Sequence, residues 1–314
     1  MDEFASEAVA NVLRGWALDE QLKDQVMSSP PLAAVAARIA RRYSAGNTID
    51  DAIAVAQRVL DRGHLVSVEY AGESVRDEQV AIAETDVFLE LIRRLEASGV
   101  AGNVSFDLSH VGSLVDPELA MQHAKSMATA LAPLGCTLMI SAEGSDRADL
   151  VLDLYDALTS DHPNVGITLQ ARLHRSATDL DRLLERRGPI RLVKGAFIEP
   201  VDIAYPRGSA ELHETYLRLA DRLIASGHAT SIATHDTHLI DSIIGRHTDL
   251  ADAAHVEFEM LLGLGTDTLD RLHRDGYTTR EYVIFGGEWW LYVLNRIAEE
   301  PRRVFDAILD AALQ

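Results

Sequence analysis

From residue 66 onward the sequence repeats one unit, a short apolar run followed by an amphipathic helical stretch. The eight predicted strands are residues 66–70, 104–108, 137–141, 166–170, 190–193, 230–234, 256–260 and 282–285. Short buried strands that alternate with helices predict a parallel sheet, because each crossover returns the chain to run in the same direction. Eight such units predict an α/β fold of the closed (βα)8, TIM-like type rather than an open sheet.

Residues 1–62 carry helical patterns only. A first apolar helical face is formed by Val9, Val12, Leu13 and Trp16. Pro30 and Pro31 separate this helix from a second one, and a third helical pattern runs over 49–60. We therefore predict an N-terminal helical segment (1–62) followed by the barrel domain (63–314).

The net charge of −20 argues against nucleic acid or an anionic membrane surface as a partner. Cys136 is the only cysteine, which favours a reducing compartment and excludes an intrachain disulfide. No apolar run approaches the length that a membrane-spanning helix needs, and the first residues do not resemble a secretion signal. We expect a cytoplasmic protein without an integral membrane segment.

The stretch Arg191-Leu192-Val193-Lys194-Gly195-Ala196-Phe197 ends a predicted strand in a cation and two small residues. Such a strand end brings the backbone close to a bound group, and the lysine supplies a point charge for a phosphate or an anionic ring. The alternative is a buried strand whose lysine reaches the surface. The loop 197–208 that follows is the longest irregular segment of the barrel and a candidate lid.

Active sites of such barrels lie at the C-terminal ends of the strands. The polar residues predicted there include Glu73, Asp107, Ser141, Gln170, Lys194, His235, Glu259 and Tyr282. Exposure to water accounts for part of this set. It does not account for Lys194, Gln170 and His235 occurring together.

The sequence contains no P-loop, no dinucleotide-binding GxGxxG after a strand, no HExxH and no GxSxG. His235 and His238 are three residues apart, but no third histidine follows a strand at a matching position, so we predict no metal site. In the last helix Trp289, Tyr292 and Arg296 face one way. They could close over a small carboxylate, although packing of an ordinary amphipathic helix explains the same spacing.

Together these motifs resemble the proline dehydrogenase family. RLVKGAF (191–197) is similar to its RLVKGAY, and ATHD (233–236) to its ATHN. EFE (257–259) is similar to its EFQ, AGE (71–73) to its LGE, and 282–296 to its last strand and final helix. The resemblance implies a barrel that binds FAD, a final helix over the barrel mouth, and hydride transfer from a ring carbon next to nitrogen to flavin N5.

Carried over to this sequence, the resemblance implies a cofactor site made of Ala142, Gln170, Arg191, Lys194, Gly195, Ala196, Thr234, His235 and Glu299. It implies a catalytic role near the flavin for Arg191, and it places Ser141 at the position of a family aspartate. Fixed positive charge near the flavin would stabilise its reduced, anionic form.

On the substrate side the resemblance implies Glu73, Asp107, Tyr282, Tyr292, Asn295 and Arg296. Here the sequence departs from the family: Asp107 replaces a lysine, and Asn295 replaces the first arginine of a pair that holds the substrate carboxylate. Loss of two charge-assisted hydrogen bonds, each worth about 1.5–3 kcal/mol, predicts carboxylate binding weaker by about 10²–10⁴.

We therefore expect FAD-dependent oxidation of a proline-like secondary or cyclic amine to an imine, with a substrate other than standard L-proline and with an electron acceptor such as a quinone. Three alternatives stay open. They are ordinary L-proline dehydrogenase, a flavin-binding barrel without dehydrogenase activity, and, least favoured, a metal-dependent barrel enzyme that uses His235 and Asp236.

Overall fold

The computed structural model describes residues 3–72 and 74–312. Eight strands close into a barrel in chain order, each parallel to both neighbours. They are β1 (Leu65–Tyr70), β2 (Gly102–Phe106), β3 (Leu138–Ile140), β4 (Val165–Gln170), β5 (Ile190–Val193), β6 (Thr230–Ala233), β7 (Val256–Leu261) and β8 (Thr279–Phe285). The predicted barrel and all eight strands are confirmed, with β3 shorter and β8 longer than expected.

Side chains alternate between the two faces of each strand, as the pleat requires. In β1, Val66 and Val68 are fully buried in the main core, under the outer helices. Ser67 points inward, since its Oγ lies 3.0 Å from Oε1 of Glu259 on β7, which is not a neighbouring strand. The inner face is therefore polar where the outer face is apolar.

Seven helices follow β1 to β7 and form most of the outer layer. They are α5 (Glu78–Ala97), α6 (Pro117–Leu131), α7 (Ala148–Thr159), α8 (Ser176–Leu183), α9 (Ala210–Ser226), α10 (Thr237–Arg246) and α11 (Thr266–Arg274). Several begin at a side-chain cap; Asp236, for example, accepts hydrogen bonds from the backbone N–H groups of His238 and Leu239. The caps fix where each helix starts after the strand end, and thus which residues remain at the mouth.

Four helices precede the barrel: α1 (Glu3–Ala17), α2 (Glu20–Met27), α3 (Pro30–Ala40) and α4 (Ile49–Asp61). Helix α4 packs on β1 and β8, and its buried residues belong to the main core. The division of the chain at residue 62 stays a prediction. The predicted apolar face of α1 is wrong at Val12 and Trp16, which are half exposed. The buried stripe is instead Ala10, Leu13 and Ala17.

After β8 the chain forms α12 (Trp289–Glu299) and α13 (Arg303–Ala312). Trp289, Trp290 and Val293 of α12 form a second apolar cluster with Leu13 of α1 and with Tyr43. Helix α12 thus packs on the N-terminal helices. Its Tyr292 and Arg296 lie over the mouth, since the charge of Glu69 acts on Tyr292 and the charge of Arg296 acts on His235 at the strand ends. No helix in the described part of the chain is long and apolar enough to cross a membrane.

Candidate active site

The barrel mouth is open at the C-terminal ends of the strands. Inward-facing residues there are partly exposed, although they belong to the inside of a packed barrel: Glu69, Asp107, Ser141, Thr168, Val193, Ala233 and Leu261. The inward residues one level deeper, such as Ser67, Ser105 and Arg191, are buried. The partial exposure therefore marks a cavity above a filled interior, where barrel enzymes bind their ligands.

The segment Lys194-Gly195-Ala196 lines the mouth after β5. Gly195 has φ +109°, and a Cβ built there would lie 2.8 Å from side-chain carbons of Arg172 and 3.1 Å from Oε1 of Gln170. A glycine is needed here for both conformation and space. The segment thus forms a tightly packed backbone surface beside the cavity.

Lys194 is paired with Asp236, with Nζ 2.6 Å from Oδ2. Burial acts to raise the pKa of Asp236, but the hydrogen bond and charge of Lys194 and two backbone N–H donors hold it below its usual value. The carboxylate is therefore ionised, and Lys194 is held in one orientation at the mouth.

Gln170, at the end of β4, has one open hydrogen-bonding position. Its Nε2 donates to the backbone oxygen of Glu143 at 2.8 Å, which fixes the orientation of the amide. Its Oε1 is buried and has no donor within the described residues. A buried acceptor without a donor is costly, so a hydrogen-bond donor brought to Oε1 would stabilise this site.

His235, after β6, is held as a neutral ring. Its Nε2 accepts a hydrogen bond from the backbone N–H of Leu261 at 3.0 Å, which places the ring proton on Nδ1. Burial, together with the positive charges of Arg296, Arg303 and Lys194, lowers its pKa to about 3. Thr234 beside it is buried, and its Oγ1 accepts from the N–H of Asp236.

Arg191 lies one level below the mouth rather than at its surface. Its Nε and Nη2 donate to the two oxygens of Glu259 at 2.6 and 2.9 Å, and Nη2 also lies 3.1 Å from Oγ of Ser105. The guanidinium carbon stands 4.7 Å from the ring centroid of Tyr282. Both members of the Arg191–Glu259 pair are almost fully buried.

The wall formed by β1, β2 and β3 is acidic. Ser141 donates from Oγ to Oε2 of Glu69 at 3.1 Å, and Asp107 is the inward residue that follows β2, the strand between β1 and β3. Glu73, predicted at the same wall, lies outside the described residues. Glu69 was missed because it lies inside a predicted strand, although the strand alternation would have placed it inward.

Helix α12 brings Tyr292, Arg296 and Glu299 to the mouth, where the charge of Glu69 acts on Tyr292 and the charge of Arg296 acts on His235. The guanidinium of Arg296 lies 5.4 Å from the Tyr292 ring centroid, and Nη2 is 2.8 Å from Oε1 of Glu299. The Tyr292 hydroxyl and Nε of Arg296 are buried and have no partner within the described residues. Burial raises the pKa of Tyr292, and the charge of Glu69 adds to this shift, so the hydroxyl stays protonated near the acidic wall.

Asn295 lies beside this group on α12 and is partly buried. Ala142, the first residue after Ser141, is also partly buried and lines a cavity of about 40 Å³ between β4, α7 and α8. That cavity has room for water but is too small for a cofactor.

The candidate lid, residues 197–208, is irregular as predicted and is held by side chains from the barrel. Arg172 donates to the backbone oxygens of Phe197 and Tyr205, and Glu199 accepts from N–H and Oγ of Ser145 at 2.8 and 2.6 Å. Arg172 is buried, and no carboxylate within the described residues forms an ion pair with it. Burial lowers the pKa of this guanidinium.

The two halves of the mouth thus differ in chemistry. The β4–β6 half offers cations, a buried acceptor and a flat backbone surface, which fit the ring and phosphates of a flavin. The β1–β3 half and α12 offer three carboxylates, one of them paired with Arg296, together with that arginine and a tyrosine, which fit a small charged molecule. Among the described residues no group of three or more His, Cys, Asp or Glu is placed to hold a metal ion.

The model of the proline dehydrogenase family matches residues 52–300 of this chain. The chain is 32% identical over 272 residues to the proline dehydrogenase of Deinococcus radiodurans, covering 84% of this chain and 87% of that protein. It is 28% identical over 266 residues to proline dehydrogenase 1 of Bacillus subtilis strain 168, covering 83% and 87%.

Among solved structures, the chain resembles proline utilization A from Bdellovibrio bacteriovorus inactivated by N-propargylglycine. The TM-score is 0.80 at 18% identity, and the match covers 94% of this chain and 37% of that longer one. A likeness at this identity confirms the barrel fold. The roles assigned to individual site residues stay predictions.

Proposed function

This chain belongs to the proline dehydrogenase family, and we propose that its own substrate is a proline-like secondary or cyclic amine other than free L-proline. Members of the family are FAD-dependent oxidoreductases that act on the CH–NH group of proline, and the predicted family, cofactor and enzyme class are confirmed on that basis. Our proposal adds that the substrate of this chain carries another group in place of a free carboxylate.

The observation that carries the proposal is the acidic wall. Glu69 and Asp107 face the half of the mouth opposite the Lys194 segment, and Ser141 is hydrogen-bonded to Glu69. A carboxylate wall offers hydrogen-bond acceptors and no donors, so a free carboxylate of the substrate gains no hydrogen bond from Glu69 or Asp107, whatever other groups these two residues contact. A cationic or amide-masked substituent would instead be attracted there.

Arg296 and Tyr292 would hold the remaining polar group of the substrate. Within the described residues, neither Nε of Arg296 nor the hydroxyl of Tyr292 has a hydrogen-bond partner. Both groups belong to α12, so they are positioned by the cluster that this helix forms with the N-terminal helices. A ligand that pairs with them would be oriented between α12 and the strand ends.

We propose the following roles for the flavin side. Gln170 Oε1 would accept a hydrogen bond from a ring N–H, Lys194 would balance phosphate charge, and Gly195 and Ala196 would allow close approach. FAD held by these residues would supply the acceptor for the hydride that leaves the carbon next to the substrate nitrogen. The residues of the acidic wall would take up the proton that the substrate ammonium loses beforehand, since an ammonium has no lone pair to assist hydride departure.

An anaerobic titration of purified protein, followed by visible absorption, tests the proposal. We expect flavin absorption in the purified protein and bleaching by L-prolinamide, in which the carboxylate is masked, at concentrations at least about 10²-fold lower than by L-proline. Equal or better bleaching by L-proline would refute the non-standard substrate. Colourless protein that cannot be loaded with FAD would refute flavin chemistry altogether.

Ordinary L-proline dehydrogenase is the second candidate, and a specific observation favours it. Tyr282, Tyr292 and Arg296 remain at the positions where the resemblance places substrate contacts, and Arg296 is close to the mouth. One arginine can hold a carboxylate in a bidentate manner. The same titration separates the two candidates. The electron acceptor, for which we propose a quinone, requires a separate assay with quinone analogues.

A further inference from the structure

The interior of the barrel contains an ion pair directly beneath the mouth, formed by Arg191 of β5 and Glu259 of β7. The pair spans β6 and is bidentate, with distances of 2.6 and 2.9 Å, and both side chains are 5% exposed or less. Ser105 and Ser67 add hydroxyls at 3.1 and 3.4 Å from Nη2 of Arg191. The guanidinium therefore has one fixed position and one fixed counter-charge.

One nitrogen of the Arg191 guanidinium, Nη1, donates no hydrogen bond within the described residues. Glu259 and the two serines take Nε and Nη2, whereas Nη1 has no hydrogen-bond partner within the described residues. Nη1 is also not fully enclosed by protein atoms, unlike the buried polar atoms that lack a partner. It is thus the accessible end of the group, and a ligand above it meets a guanidinium whose charge is neutralised from the other side.

We propose that Glu259 sets the reduction potential of the flavin by cancelling the charge of Arg191, and so acts as a positioning residue that makes the bound flavin a weaker electron acceptor. The inference rests on the proposed function, because it requires a flavin at the mouth next to Arg191. Reduced flavin is anionic, so a net positive neighbour stabilises it and a neutral pair stabilises it far less. A buried pair is poorly screened by salt, which keeps this effect large.

A second pair in the same interior provides a matched control. Glu257 accepts from Nε and Nη2 of Arg280 at 2.7 and 2.9 Å, the same bidentate arrangement as in the upper pair. It lies two residues nearer the N-terminal end of β7, one inward-facing level further from the mouth. Neutralising Glu257 breaks an equivalent pair but leaves the charge beside the mouth unchanged.

The test compares the flavin potentials of wild type, Glu259→Gln and Glu257→Gln, each measured by anaerobic reduction against a reference dye. We expect Glu259→Gln to raise the equilibrium constant for two-electron reduction at least tenfold, about 30 mV, and Glu257→Gln to change it less than threefold. Glu259→Asp, which keeps the charge, should also stay within threefold. Equal shifts in both glutamine variants, or no shift in Glu259→Gln, would overturn the inference.

If Glu259→Gln does not fold, the double variant Ser67→Asp/Glu259→Gln gives an independent answer. Ser67 Oγ lies 3.4 Å from Nη2 of Arg191 and 3.0 Å from Oε1 of Glu259, so an aspartate at this position restores one carboxylate beside the guanidinium and leaves Arg191 in place. The potential should then remain within threefold of wild type, and a tenfold change would contradict the inference. A yellow protein with the expected potentials but no reaction with any amine would refute only the proposed substrate, whereas protein unable to bind FAD would refute both.

Discussion

Neutral His235 makes the stability of this protein dependent on pH. The ring is partly buried near the charges of Arg296, Arg303 and Lys194, and its Nε2 accepts the backbone N–H of Leu261. Protonation would place a second N–H against that donor and a fourth positive charge in the same region. The folded state therefore resists protonation of His235, while the unfolded chain does not.

The size of the effect follows from the two pKa values. The pKa of His235 falls from 6.5 to about 3 in the folded state. A depressed histidine pKa leaves stability intact above about pH 6.5 and reduces it steadily as the pH falls toward the folded value, because the unfolded state then binds more protons. Between pH 8 and pH 5 the expected loss from this one residue is about 2 kcal/mol, at 1.36 kcal/mol per pH unit below 6.5.

The variant His235→Gln isolates this contribution, since a glutamine oxygen can still accept the hydrogen bond but cannot titrate. Urea unfolding followed by circular dichroism would be measured at pH 8 and pH 5 for both proteins. We expect wild type to lose about 2 kcal/mol more than the variant over this interval. An equal loss in the two proteins, or an NMR titration that places the pKa of His235 near 6.5, would refute the reasoning.

Three further changes test the mouth. Gly195→Ala, at φ +109° and with its Cβ only 2.8 Å from side-chain carbons, should cost about 1–3 kcal/mol and lower the flavin-to-protein absorbance ratio, as a thermal scan and a spectrum would show. Asp107→Lys should lower the KM for L-proline about 10²-fold. An unchanged KM in steady-state assays would contradict the acidic-wall argument. Glu199→Ala removes both hydrogen bonds from Ser145, which should lower the local stability of the loop 197–208 by about 1 kcal/mol. Limited proteolysis should then cut this loop several-fold faster than in the wild type.

The barrel was predictable because its strands carry strong local signals. Runs such as 66–70 and 190–193 are short, apolar and separated by helical stretches, and only a few topologies satisfy eight of them. The N-terminal helices were harder to predict. The buried stripe of α1 consists of Ala10, Leu13 and Ala17 because α12 packs closely against small residues, whereas hydrophobicity alone favoured Val12 and Trp16. Helix α2 has no buried residues, so its sequence carries only a weak apolar pattern.

The site was predictable where function depends on strand ends, and not where it depends on partners across the barrel. Lys194 and His235 come together because β5 and β6 are neighbours. The partner of Arg191 could not be read from the sequence, since Glu259 is two strands away and the contact depends on barrel closure. Burial of Arg172 also depends on tertiary structure, namely on the way the loop 197–208 folds back over it.

The N-terminal helices explain how the last helix can cover the mouth. In a regular (βα)8 barrel the helix after β8 fills the outer layer between β8 and β1. Here α4 packs on both of those strands, so α12 does not have to. Two contacts then fix the start of α12: Trp290 donates from Nε1 to the backbone oxygen of Trp16 at 2.9 Å, and Lys23 pairs with Glu288 at 2.6 Å. The N-terminal helices therefore set the position of Tyr292 and Arg296. We expect changes at Trp16 or Lys23 to affect the proposed substrate site through α12, although neither residue is proposed to touch the substrate.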